Sequence, residues 1–328
     1  VKAFFSFLLA GAGIALGQTQ TPSLAAPGFH HVHLNSVAPD AAIDFYTRQF
    51  PSSMRATFAG QPALKAGNVW VLFNKVGKPP ATAPQTAFWH FGWNVVDSHK
   101  NLDVFRQRPD VHLKPLYTGD GDATVDISSD TFPGGPGNPG QSRAQIAALK
   151  AQAVQPTRMA GFAFLNGPDG VIVEYAGNFP SERFSHVHLF ESDPVCAQLW
   201  YQKHLNAMPR DGGKLSPEIT EANCKAPAAA PTWVALVPQG FSRLPAGGVL
   251  FDDISMNWYV SEGNRPLAPS RGHEIDHVGL SVDHLDAWIA KLKQEGVKFL
   301  GKPYKLGSSR AVMIEGPSHE SLELVEVR

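Results

Sequence analysis

Apolar and polar residues alternate over short runs along this chain, and each run is followed by apolar positions spaced three and four apart. The first run, Phe29-His-His-Val-His-Leu, leads through Pro39 into a segment whose Ile43, Tyr46 and Phe50 share one helical face. Phe184-Ser-His-Val-His-Leu leads in the same way through Pro194 to Ala197, Trp200, Tyr201 and Leu205. His90-Phe-Gly-Trp-Asn-Val-Val precedes Leu102 and Phe105, and His277-Val-Gly-Leu-Ser-Val precedes Leu285, Trp288, Ile289 and Leu292, a helix closed by Gly296. After each helix come strand-like runs: Val69 to Phe73; Gly161 to Leu165 with Val171 to Tyr175; Trp233 to Val237 with Ile254 to Tyr259; and Ala311 to Ile314 with Leu322 to Val327. The pattern predicts four units of one helix and four strands, βαβββ.

The units are related in sequence. Phe29 to Tyr46 can be laid without gaps on Phe184 to Tyr201, with agreement at the Phe, the His-Val-His-Leu run, the Pro, an Ala and the final Tyr. Such self-similarity predicts a duplicated domain, with a first domain over 27–179, a second over 183–328, and the break at a Pro near Asn178 to Arg183.

Composition narrows the partners. With 28 Lys and Arg against 29 Asp and Glu, the net charge of -1 supplies no positive field for a nucleic-acid backbone or an anionic membrane. A small molecule is the expected partner. Residues 3–17 form an uncharged, mostly apolar run after Lys2, shorter than the roughly 20 residues of a spanning helix, and Ala15-Leu16-Gly17 supplies small residues for cleavage. Residues 1–26 are therefore expected to be a signal peptide and linker, the protein exported to a periplasmic or extracellular space, with no stable membrane insertion once the signal is cleaved. Two cysteines, Cys196 and Cys224, are too few for a disulfide scaffold, and their spacing leaves one disulfide and two buried thiols equally open.

The chemistry rests on histidines and glutamates. His31, His90, His186 and His277 each sit on the opening strand of a unit. Glu174 and Glu323 each stand seven residues after the Gly of a Gly-Pro turn, in apolar strands where an unpaired carboxylate is costly. A cation would remove that cost. Taken half by half, the expected sets are His31, His90 and Glu174, then His186, His277 and Glu323. Two imidazoles and a carboxylate suit Fe(II), Mn(II), Zn(II) or Ni(II) and leave coordination positions open for substrate and water or dioxygen.

The βαβββ units, the opening-strand His and the closing Gly-Pro-x-x-x-x-x-Glu resemble the vicinal oxygen chelate superfamily: glyoxalase I, extradiol dioxygenases, methylmalonyl-CoA epimerase, fosfomycin-resistance enzymes and bleomycin-resistance proteins. The resemblance implies an α+β fold of four βαβββ modules paired into two half-open mixed β-barrel (glyoxalase-like) domains. It also implies a divalent metal held by the six residues just named. His33 and His188 share a strand face with His31 and His186 and are alternative ligands or supporting groups; the family position favours the first His of each pair. Glyoxalase I carries a fourth, carboxylate ligand on the last strand of the other unit, and neither Val69-Trp-Val-Leu-Phe-Asn nor Ile254-Ser-Met-Asn-Trp-Tyr offers one. The dioxygenases carry a Tyr ten residues before the Glu, where this chain has Phe164 and Met313. His33, His188, Tyr259, Tyr304 and Arg310 are the candidates for acid and base. Dioxygenase-like chemistry with Fe(II) is the leading expectation, followed by a glyoxalase-type lyase or isomerase and a non-catalytic binding protein. Two insertions interrupt the units: Asp120 to Pro156, equally open to being a lid over the first site or a surface decoration, and Asp211 to Pro231, expected as surface decoration.

Overall fold

Four units follow one another along the chain. The first comprises β1 (Gly28–Ser36), α1 (Pro39–Gln49), β2 (Ser53–Phe58), β3 (Gln61–Ala66) and β4 (Val69–Lys75). The second has β5 (Phe88–Asn94), α2 (Ser98–Phe105), β6 (His112–Lys114), an insertion bearing β7 (Leu116–Tyr117), β8 (Thr124–Val125) and α3 (Arg143–Ala151), then β9 (Phe162–Asn166) and β10 (Ile172–Ala176). The third runs through β11 (Arg183–Glu191), α4 (Pro194–Leu205), β12 (Met208–Pro209), β13 (Thr232–Trp233), β14 (Ser242–Phe251) and β15 (Ile254–Ser261). The last holds β16 (Ile275–Val282), α5 (Leu285–Gln294), β17 (Tyr304–Leu306), β18 (Ser309–Glu315) and β19 (Ser321–Glu326). This computed structural model describes residues 24–117, 124–130, 142–155, 160–210, 215–225, 232–233, 242–261 and 266–327. Residues 1–23 of the expected signal peptide and linker, the Thr131 to Gly140 run of the first insertion and residues 234–237 of the expected Trp233 to Val237 strand lie outside them.

The expected βαβββ pattern holds, but the partners differ from expectation. One eight-stranded sheet runs β17-β18-β19-β16-β1-β4-β3-β2, and a nine-stranded sheet runs β12-β14-β15-β11-β5-β10-β9-β6, with β13 against β14. Unit one therefore pairs with unit four, and unit two with unit three. Neighbouring units within a half do not close a barrel together, as the duplication had suggested. The reason is at the centre of each sheet, where the opening strands meet antiparallel, β1 on β16 and β5 on β11, each flanked by its own unit's last strand in parallel. Each sheet curls into a half-barrel with a local two-fold at that central pair.

Alternation decides which face is which. On β1, His31 and His33 face the hollow of the sheet while Val32 and Leu34 lie in the core between the two sheets. The backs meet through aromatic rings: Phe29 and Phe184 from different sheets stand 5.9 Å apart, and Tyr46 of α1 stacks 6.1 Å from Trp93 of β5. Helix α1 starts at Pro39 and buries Ala42, Ile43, Phe45 and Tyr46; α5 buries Leu285, Trp288, Ile289 and Leu292, the face read from the sequence. Trp200 of α4 is only half-buried, over the Cys196–Cys224 disulfide region. That bond pins part of the second insertion to α4. In the first insertion α3 carries a Ser142–Gln145 capping box and buries none of its residues.

Candidate metal centres

Four β-bulges position the histidines. In the β1–β16 pair His31 faces Gly279 and His33 faces His277, and the register slips at His30 on β1 and at Asp276 on β16. The β5–β11 pair repeats this: His186 faces Gly92, His188 faces His90, and the slips fall at Ser185 and Trp89. Each extra residue therefore immediately precedes one of His31, His277, His186 and His90, and each bulge re-aims the ring that follows it.

The slip also brings the preceding side chain beside that ring. Nδ1 of His31 is 2.8 Å from Nδ1 of His30, Nδ1 of His186 is 2.8 Å from Ser185 Oγ, and Nδ1 of His277 is 2.6 Å from Asp276 Oδ1. Occupying Nδ1 leaves Nε2 as the free ligand atom and fixes the ring, the arrangement that supports metal-binding histidines. At His90 the preceding residue is Trp89, packed edge-on at 4.5 Å. Sequence reasoning missed these supporting residues; its available signal was a polar residue before three of the four histidines in otherwise apolar strands.

Glycine opposite a histidine gives the ring its space. A Cβ on Gly279 would fall 2.0 Å from His31 Cε1, and one on Gly92 would fall 2.6 Å from His186 Cε1 and Nε2. In the parallel register Glu323 lies beside Gly279 and Glu174 beside Gly92, so each glycine sits between a histidine and a glutamate.

Two clusters result, and they cross the halves of the chain. In the first, Glu174 Oε2 is 2.8 Å from His90 Nε2, 3.7 Å from His186 Nε2 and 3.8 Å from His188 Nδ1. In the second, Glu323 Oε2 is 3.4 Å from His31 Nε2 and 3.9 Å from His277 Nε2, and donor atoms of His31, His33 and His277 lie within 4.8 Å of one another. The six sequence-derived ligands all converge, but the half-by-half sets are corrected: His90 and Glu174 meet His186, and His31 meets His277 and Glu323. The cause is the pairing of unit two with unit three and of unit one with unit four.

These donors fit a divalent ion. All six residues are buried, and the Nε2 atoms of His31, His186 and His277 and Oε2 of Glu323 have no hydrogen-bond partner. Buried polar atoms without partners cost on the order of 1–3 kcal/mol each, so several aimed at one point call for a ligand. Burial lowers the pKa of His31, His90 and His188, and of His33 to about 3, which keeps the rings neutral as coordination requires. The carboxylates differ. Burial pushes Glu174 up, but His186 and His90 outweigh it and hold the group well below the usual range. Burial raises Glu323, offset only in part by His277 and by the Tyr304 hydroxyl that donates to its Oε1.

The local two-fold assigns the remaining residues. It carries His90 to His186 and His277 to His31, so the first His of each His-x-His is equivalent to the single His of the partner strand. His188 and His33 then stand where the partner strands have Gly92 and Gly279, each adding an extra donor to its cluster. The positions equivalent to Glu174 and Glu323 are Asn257, paired with His188, and Leu72, paired with His33. Neither is a carboxylate.

A cavity of about 570 Å3 opens on the first cluster and is lined by Glu174, His186 and His188 with Trp89, Phe164 and Tyr259. Tyr259 packs edge-on 5.2 Å from the His188 ring, so both candidate acid–base groups belong to this cup, while Tyr304 belongs to the second. Arg310 belongs to neither. It pairs with Asp286 at 2.6 Å on the outer surface beside α5, because its strand position faces away from the hollow.

The model of the Glyoxalase/Bleomycin resistance protein/Dioxygenase superfamily matches residues 183–324. No curated protein matches the chain by sequence. Glyoxalase I from Zea mays is 14% identical with a TM-score of 0.55 over 92% of this chain and 92% of its own. A glyoxalase/dioxygenase from Nostoc punctiforme is 13% identical, covering 44% of this chain and 89% of its own, with a TM-score of 0.31. A fosfomycin resistance protein of Listeria monocytogenes, solved with Mn(II), is also 13% identical, covering 44% of this chain and 90% of its own, with a TM-score of 0.29. The maize likeness identifies the fold as the glyoxalase-like arrangement of two half-barrels.

Proposed function

With residues 183–324 matching the model of the glyoxalase, bleomycin-resistance and dioxygenase superfamily, we propose that this protein is a divalent-metal enzyme acting on a small substrate through two neighbouring oxygens. Its first reaction class is dioxygenase-like. The observation that carries the reading is the convergence of His90, His186, Glu174 and His188 at one end of an open cavity. A bound Fe(II), or alternatively Zn(II), Ni(II) or Mn(II), would supply Lewis acidity toward the paired oxygens. The chain supplies the rest. His90, His186 and Glu174 would hold the ion. His188, which lines the cavity 3.8 Å from Glu174, is the group placed to accept a proton from a substrate hydroxyl. Trp89 and Phe164 form an apolar wall that limits water.

A second reading, a glyoxalase-type lyase or isomerase, is favoured by one feature. His188 brings a fourth protein donor within 3.8 Å of Glu174, and a more fully ligated Zn(II) or Ni(II) suits enolisation. Against it stands Asn257, the neutral residue where a second carboxylate would be. The Cys196–Cys224 bond supports export to an oxidising compartment.

Metal analysis of protein purified without chelators and then offered each ion tests the reading. We expect at least one tightly held equivalent, lost in His90→Ala, and oxygen consumption with a catechol on the Fe(II)-loaded protein. Retention of none of the four ions ends the enzyme reading and leaves a non-catalytic binding protein. Metal retained without oxygen uptake, with turnover of a hemithioacetal instead, favours the lyase.

A further inference from the structure

The wall of the first cup opposite Glu174 carries a solvent-exposed cation, Arg210, that has no carboxylate partner among the described residues. Arg210 follows β12, held by its backbone N–H donating to Gly248 O at 3.1 Å, and its Nη1 donates to Asn257 Oδ1 at 3.2 Å. Gly248 makes this contact possible, since a Cβ there would fall 2.5 Å from Asn257 Oδ1 and 3.4 Å from Arg210 Cβ. The position related to Glu174 by the local two-fold thus holds a neutral amide that anchors a guanidinium.

The other charges lining the cavity are accounted for. Arg183 is paired with Asp253, and Glu174 faces the histidines. Among the described residues no carboxylate pairs with Arg210. Five aromatic rings also line the cavity, Trp89, Phe162, Phe164, Phe179 and Tyr259, beside small, polar and aliphatic side chains. Phe179 is 39% exposed at this cavity, an apolar ring that packing within the chain leaves uncovered.

Resting on the proposed metal-site reading and naming its substrate class, we infer that the first cup takes an aromatic ring bearing a carboxylate, with Arg210 as the residue that selects the anion. The aromatic wall receives the planar ring, whose paired oxygens point to the Glu174 side while its carboxylate meets the guanidinium across the cup. A cavity of about 570 Å3 lies within the range that encloses small ligands.

Titration calorimetry of the full chain loaded with redox-inert Zn(II) tests this, with 3,4-dihydroxybenzoate and its neutral amide as probes. We expect the acid to bind about tenfold or more tightly than the amide, the scale of one charge-assisted hydrogen bond. Arg210→Gln should remove that preference while leaving amide affinity, zinc content and melting temperature unchanged, and Arg210→Lys should restore part of it. Equal affinity for acid and amide, a preference surviving in Arg210→Gln, or no binding of either probe would overturn the proposal. The metal-free protein separates the two readings: an acid preference that depends on Arg210 there stands even if no metal is retained.

Discussion

Gly92→Ala and Gly279→Ala test the geometry of the two cups most directly. A methyl on Gly92 would lie 2.6 Å from His186 Cε1 and Nε2 and 2.7 Å from the Glu174 carbonyl oxygen, against an ordinary contact of 3.4 Å or more. The His186 ring must withdraw by about 0.8 Å, and the β10 backbone must give as well, since a neighbouring strand cannot rotate away as a side chain can. Zn–N bonds are about 2.0–2.1 Å with little tolerance, so a shift of that size removes His186 from a shared ion. Overpacking costs about 1–3 kcal/mol of stability. Metal affinity should fall at least 10–100-fold, the effect of disturbing a supporting group, because here a ligand itself moves. Gly279→Ala presses first on His31, at 2.0 Å from Cε1 and 2.1 Å from Nδ1, and should weaken the second cup while sparing the first. Competition with a chromogenic chelator reads each affinity, and thermal unfolding of the metal-free protein reads the strain. Gly77→Ala, with nothing within 4 Å of the added methyl, is the silent control. Wild-type metal affinity in Gly92→Ala and Gly279→Ala alike would refute the account of the glycines as space for ligand rings.

Asp276→Ala, by releasing Nδ1 of His277, should lower metal affinity of the second cup about 10–100-fold with the first unchanged, measured by the same competition. Stability of the metal-free protein should depend on pH with a definite sign. The folded pKa of His33, lowered to about 3, and those of His31 and His188 lie below the unfolded value near 6.5, so the unfolded chain binds more protons and stability present above that pH is lost as pH falls toward 3. Glu174, held low in the fold, adds to the loss below its ordinary value of 4.5. Denaturant titrations from pH 7 to 4 should show this decline, and His33→Gln should flatten it by up to about 1.4 kcal/mol per pH unit; a flat wild-type profile would contradict it. Cys224→Ser removes a link spanning 28 residues and should cost about 3–4 kcal/mol, read as a lower denaturant midpoint that matches wild type under reductant.

The chain's own pattern was enough to mark the four units, their helical faces and the six histidines and glutamates that converge in the two cups. Apolar periodicity reports burial directly, and a histidine or glutamate within an apolar strand is conspicuous because burying it alone is costly. His31, His90, His186 and His277 could thus be identified one unit at a time. Which of them would meet could not. Four similar units can close two cups in more than one way, and the repeat in the sequence favoured neighbours; strand pairing instead joins β1 to β16 and β5 to β11, exchanging partners between the halves. The bulges at His30, Trp89, Ser185 and Asp276 were not located either: the polar residue before three of the histidines breaks the alternation, but a bulge belongs to the register between two strands, which neither strand fixes alone. Arg310 and Arg210 show the same division: both are arginines near strand ends, and only the packed structure turns one toward Asp286 on the outer surface and the other into the cup. Local composition sets what each strand buries, whereas the convergence of distant groups on one point depends on pairing energies summed over whole sheets.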